Sequence, residues 1–178
     1  MSASERDEAE RAAWWAETAQ LAAADLVFVD ESGTTLAMTP RYGRAPRGQR
    51  VVGTAPRNHG PNVTLVAAMG AAGITAAMTM TGATDGEVWA LFVRRILVPS
   101  LRPGQIVVCD QLGVHKNQTM RQLIEAAGRH LRLLPAYSPD FSPIEQAFST
   151  LKISLRRANA RSRPALEDAI AAGRATIT

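Results

Sequence analysis

The sequence predicts an α/β fold: a mixed β-sheet, built from an antiparallel meander plus βα units, flanked by helices. Three observations lead there. Short runs rich in apolar and β-branched residues, at 26–30, 62–69, 74–81, 106–109 and 131–134, read as strands. Apolar residues at helical spacing separate and follow the later runs. Strands that come first in sequence order and then alternate with helices describe a mixed sheet with helices packed on its faces. The length of 178 residues suits one domain with a single sizeable core.

Residues 4–24 are Ala-rich and charged, without Gly or Pro, and predict a helix that Trp14 and Trp15 dock on the body. Leu26 to Asp30 is the first buried strand. Ser32-Gly33 reads as a turn, with 34–39 as the returning strand. Residues 40–61 carry four prolines and four glycines and predict a loop or irregular hairpin. The strands at 62–69 and 74–81 meet at Gly70-Ala-Ala-Gly73. Thr84-Asp-Gly-Glu87 fits a capping box opening a helix, which Pro99, Pro103 and Gly104 close. Ile106 to Cys109 is the next buried strand. Met120, Leu123, Ile124 and Ala127 give an amphipathic helix over 117–127, stopped by Gly128. After the strand at 131–134 comes a Pro-rich loop, 135–143. A helix then runs from Pro143 to about Ala160, and Pro164 begins a last one. This is the element order of a ribonuclease H-like fold.

Composition narrows the function. Hydrophobic residues make up 46% and charged residues 20%, as in ordinary globular proteins. No apolar run approaches the roughly 20 residues of a membrane helix, so no membrane partner is expected. The single cysteine, Cys109, allows no intrachain disulfide and fits a reducing cytosol. The net charge of +4 conceals an asymmetry: residues 1–31 hold eight acids and two arginines, so the remainder carries a surplus of ten positive charges. Residues 41–57 and 152–163 each contain five basic residues and no acid. Such stretches are either a solvated, solubilising surface or a polyanion-binding one. No CxxC, HExxH, Walker loop or nucleophile elbow occurs, which removes several enzyme classes.

Three carboxylates stand at informative places. Asp30 ends the first buried strand, Asp110 ends the strand after the meander, and Glu145 lies in the first turn of a helix. Strand ends at the C-terminal edge of an α/β sheet are where ligands bind. Carboxylates gathered there repel one another, and hard divalent cations relieve that repulsion. Two such ions about 3.5–4 Å apart clamp the attacking and leaving oxygens of a phosphodiester displacement. Each residue also has a plain structural role: Asp30 as a strand end, Asp110 as a turn residue before Gly113, and Glu145 as the reciprocal half of a capping box with Ser142. Glu31 is set on the opposite face by strand alternation. His115 and Lys116 either open the next helix or lie near a DNA backbone or the carboxylates. His59 and His130 read as structural or surface residues, and Cys109 as a packed thiol.

Four blocks carry a resemblance: LVFVDESG at 26–33, RYGRAPRGQR at 41–50, VVCDQLGVHK at 107–116, and LLPAYSPDFSPIEQAFSTLK at 133–152. With them, from about residue 10 onward, the chain resembles the DDE transposases of bacterial insertion sequences in the mariner-like superfamily. The last block is the most specific. The family's two aspartates fall on Asp30 and Asp110, and its glutamate on Glu145. The 34 residues between Asp110 and Glu145 match the spacing typical of that superfamily. The resemblance implies a ribonuclease H-like fold, two Mg²⁺ or Mn²⁺ ions held by the three carboxylates, and cleavage and strand transfer of DNA during transposition. It implies transposon ends and target DNA as partners, a homodimer, and a bacterial cytoplasmic, nucleoid-associated location. Arg41, Arg44, Arg47, Arg50, His115, Lys116, Lys152, Arg156 and Arg157 are the candidate DNA contacts. Three positions depart from the family pattern: Gln111 where Asn is usual, Ala136 where a second proline is usual, and Ser142 where Asn is common. Family members carry helix-turn-helix domains upstream. Here residues 1–25 are expected to hold one helix, as a linker remnant, with 26–178 the catalytic domain and a separate helix-turn-helix polypeptide reading the DNA. Two other readings stay open: a truncated remnant that only binds DNA, and a ribonuclease H-like nuclease.

Overall fold

The computed structural model describes residues 6–111 and 118–177. Five strands form one sheet: β1 (Leu26–Thr34), β2 (Val63–Gly70), β3 (Gly73–Thr81), β4 (Ile106–Cys109) and β5 (His130–Leu133), in the order β3-β2-β1-β4-β5. β1, β2 and β3 are antiparallel neighbours, whereas β4 runs parallel to both β1 and β5. The expected mixed sheet is therefore present, with its change from antiparallel to parallel pairing at β1.

One face of the sheet is covered by α2 (Gly86–Phe92), by the π-helical turn Val93–Leu97 that continues it into α3 (Val98–Ser100), and by α4 (Gln118–Ala126). Trp89, Phe92, Val93, Leu97, Met120 and Ile124 pack there on Val27, Val29, Val107 and Cys109. The other face is covered by α5 (Pro143–Ala158) and α6 (Arg163–Arg174), whose Ile144, Phe148, Leu151, Leu155, Leu166 and Ile170 meet Val63, Leu65 and Ala67. Beside them, α1 (Glu8–Thr18) closes a third cluster, with Trp14 over Ile106, Val108 and Leu134. All four residues of β4 are buried, because this interior strand, between β1 and β5, is covered on both faces.

Three boundaries differ from expectation. Ser32-Gly33 makes no turn. β1 continues to Thr34, because Ser32, Gly33 and Thr34 find ladder partners in Leu65, Thr64 and Val63, and the Thr34 hydroxyl donates to the Val63 carbonyl at 2.8 Å. The predicted returning strand at 34–39 is thus absent, and β1 reaches β2 through the long segment 35–62. The first helix is shorter than 4–24. Asp7 caps it by accepting from the Ala9 and Glu10 N–H groups, and it ends where the Thr18 hydroxyl folds back to Trp14 O at 2.7 Å. Finally, Asp85 rather than Thr84 caps α2, accepting from the Val88 N–H at 2.9 Å.

Candidate active site

The parallel pairing sets Leu26–Phe28, the first residues of β1, beside Ile106–Val108 of β4, with Phe28 opposite Val108. Asp30 does not end its strand as expected but lies in mid-β1, opposite Ala67 of β2, because the ladder with β2 carries β1 on to Thr34. Asp30 lies two residues beyond Phe28 and Asp110 two beyond Val108. Alternation along β1 puts Asp30 on the face of Phe28, which packs against the α5 side of the sheet. Glu145 arrives from that side. Ile144 is fully buried in the core and anchors the first turn of α5, so the next residue emerges at the surface. Asp30, Asp110 and Glu145 consequently line one cleft of about 420 Å³. Val29, Leu134 and Pro135 give it an apolar wall, and Gln111 and Tyr137 also line it.

The segment leading to Glu145 is tightly wound. Tyr137 adopts φ of 53°, in the left-handed region that is uncommon for a bulky side chain, and its ring is 58% exposed. The buried Ser138 hydroxyl donates to the Ala136 carbonyl at 3.1 Å. A 3-10 turn, Pro139–Phe141, follows, and Ser142 both ends that turn and begins α5. The Ser142 N–H donates to Pro139 O at 3.0 Å, and the Ser142 side chain makes no capping bond. The capping-box role considered for Glu145 is therefore not formed: the N–H it would accept from is already bonded.

The electrostatics single out Asp30. Burial raises its carboxyl, and the charges of Glu145, Asp110 and Glu31 raise it further against one lowering contact, the Glu31 N–H at 2.8 Å. The result is a value pushed up to about 7. Beneath Asp110, burial also raises the Cys109 thiol, which stays neutral as the packed thiol expected. An oxygen-only donor set that disfavours its own ionisation suits a hard divalent cation. Among the described residues no three acidic, His or Cys side chains stand close enough to form a ready-made metal cage.

The basic candidates lie elsewhere. Arg41, Arg44, Arg47 and Arg50 are all exposed on the irregular segment between β1 and β2. Lys152, Arg156 and Arg157 lie on α5, beyond its first turn. None of these lines the cleft. His115 and Lys116 lie outside the described residues. α1 docks on the body through Trp14, as expected, and adds polar contacts of Arg11 and Glu10 that the sequence reading missed. Arg11 grips Asp140 with both guanidinium nitrogens, at 3.0 and 2.6 Å, and lies 4.0 Å from the centre of the Phe141 ring. Trp14 stacks on the same ring at 5.1 Å. The Gln111 amide donates to Glu10 at 3.2 Å.

The family model described as DDE superfamily endonuclease matches residues 25–167. The chain belongs to this family. No curated protein sequence matches it. Among solved structures, the chain is similar to the Mos1 transposase paired-end complex with left transposon end (TM-score 0.76, 16% identity, 99% of this chain and 57% of that one). It is also similar to the Mos1 mariner paired end complex with Mn (TM-score 0.73, 18% identity, 98% and 57%). A third is the Mos1 transposase catalytic domain with Raltegravir and Mn (TM-score 0.68, 14% identity, 95% and 80%). The fold of this DDE-family chain is thus ribonuclease H-like, as its element order predicts. The chain spans 57% of the length of the paired-end Mos1 chains. No helix among the described residues is long and apolar enough to cross a membrane.

Proposed function

We propose that this chain is the catalytic domain of a DDE transposase, with residues 26–178 as the catalytic unit and Asp30, Asp110 and Glu145 as its site. The reaction is in-line attack of water, and then of a DNA 3′-hydroxyl, on phosphodiesters. One observation carries the proposal. In a DDE-family fold, three carboxylates, from the middle of β1, the end of β4 and the start of α5, line one cleft, and burial together with their mutual repulsion raises Asp30. Two Mg²⁺ or Mn²⁺ ions, when bound, would activate the attacking oxygen and stabilise the leaving one. Asp30, within β1, and Asp110, directly after β4, would fix the metal position. Glu145, at the start of α5, would complete the set. The apolar wall at Val29 and Leu134 limits water around the reacting phosphate.

The arginines of segment 41–50, with Lys116, Lys152, Arg156 and Arg157, supply phosphate contacts that set affinity rather than sequence choice. The similar Mos1 structures are paired-end complexes, one with the left transposon end and one with Mn, which supports DNA ends, a homodimer and divalent metal here. End recognition by a helix-turn-helix unit, in this polypeptide or a separate one, belongs to the same proposal, as does action at the bacterial nucleoid.

The test is cleavage of supercoiled plasmid with Mg²⁺ or Mn²⁺, followed by strand transfer from a DNA carrying a free 3′-hydroxyl. Wild-type chain nicks, whereas Asp110→Asn and Glu145→Gln fall by more than about 100-fold, the scale for losing a group aimed at transition-state charge. Nicking unchanged in Glu145→Gln would overturn the site. Nicking without strand transfer would favour a nuclease of the same fold. Binding of DNA by the folded chain without nicking would favour a remnant.

A further inference from the structure

We propose that Arg11 is a positioning residue: through its fork on Asp140 it holds the start of α5, and so sets where Glu145 stands relative to Asp110. The inference rests on the reading of the site given above. Arg11 is 6% exposed, and its guanidinium is held by Asp140 and lies against the Phe141 ring. A planar fork fixed at two oxygens specifies the orientation of its partner, which a single point charge does not. Asp140 and Phe141 belong to the 3-10 turn that shares Ser142 with α5. Successive backbone bonds link the turn to the catalytic carboxylate: Phe141 N–H to Ser138 O, Ser142 N–H to Pro139 O, and Glu145 N–H to Ser142 O. Ser142 offers no side-chain cap, so the helix start takes its direction from the turn, and the turn takes its direction from Arg11.

The same helix reaches the other side of the cleft. Glu10 accepts from the amide of Gln111, the residue after Asp110. Adjacent residues of α1 thus touch the immediate neighbourhood of two of the three carboxylates. A third tie, Arg132 to Glu17 at 2.9 Å, joins α1 to β5 away from the turn. It provides a control for loosened docking of α1 that leaves the turn alone.

The experiment measures Mn²⁺ affinity of the full chain by electron paramagnetic resonance, together with kcat and KM for plasmid nicking. Arg11→Lys keeps the charge and loses the fork. It is expected to weaken Mn²⁺ binding by about tenfold, the lower end of what groups supporting metal ligands contribute, and to lower kcat while leaving KM for DNA unchanged. Arg132→Ala is expected to change neither, and the swapped pair Arg11→Asp with Asp140→Arg is expected to recover part of the loss. Unaltered Mn²⁺ affinity in Arg11→Lys, or an equal loss in Arg132→Ala, would overturn the positioning role. Absence of Mn²⁺ binding by the wild-type chain, or equal binding by Asp110→Asn, would instead sink the site reading and the proposal with it.

Discussion

Replacing Asp30 by Asn should make the metal-free protein more stable while abolishing its chemistry. The Asp30 carboxyl is raised from 3.8 to about 7, chiefly by burial and then by Glu145, Asp110 and Glu31. A carboxyl whose folded value exceeds its unfolded one binds a proton more tightly when folded. Its contribution is therefore fully present below about pH 4 and is lost as pH rises through about 7. Three units at 1.36 kcal/mol each set an upper bound of about 4 kcal/mol on the cost of ionised Asp30 above neutrality. Asn keeps an oxygen for the Glu31 N–H and has no charge to desolvate. Urea denaturation in EDTA between pH 4.5 and 8.5 should show wild-type stability falling across that window and Asp30→Asn staying flat in comparison. At pH 8 the variant should lead by about 2–4 kcal/mol, or roughly 5–15 °C in Tm for a chain of this size. Asp140 is lowered by its Arg11 hydrogen bond and titrates beneath this range, so it leaves the window clear. Mn²⁺ should stabilise the wild type, by mass action on the folded state, and not the variant. Wild-type stability that rises with pH from 5 to 8, or a variant less stable at pH 8, would refute the reasoning.

Removing Arg41, Arg44, Arg47 and Arg50 together should flatten the dependence of log K on log salt for DNA binding by up to about 4, at about 0.9 per phosphate contact. An unchanged slope would show that these arginines serve solubility. Their exposure predicts a stability change within about 0.5 kcal/mol. Ile144→Ala, at a fully buried position beside Glu145, should cost about 2–5 kcal/mol in urea denaturation. Gln146→Ala, on the exposed face of the same turn, should cost less than about 0.5 kcal/mol.

The strands were legible because each is a short apolar run buried on one or both faces, as at Val107 and Val108, both almost fully buried. The amphipathic helices declared themselves by spacing, as at Met120 and Ile124. Ser32 and Gly33 misled because local composition marks turns, while the ladder offered by β2 is a tertiary fact. The π-helical turn at Val93–Leu97 leaves no compositional trace. The three carboxylates could be named from motif and spacing. Their common cleft depends on β1 and β4 pairing in parallel, which sequence order suggests and only the sheet establishes. Arg11 remained unread because its partner lies 129 positions away. Nothing local distinguishes it from a solvated helix arginine.

That separation bears on how the protein comes into being on the ribosome. β2 and β3 meet across a tight connection and can pair as soon as they emerge. Asp30 and Glu145 are 115 positions apart, and the Arg11–Asp140 clasp closes a longer loop still. Closing such distances is entropically costly and comes after local pairing. A nascent or nicked chain lacking α5 therefore holds Asp30 and Asp110 without their third partner. On the proposed reading of the site, the third carboxylate joins the other two only once translation has passed α5.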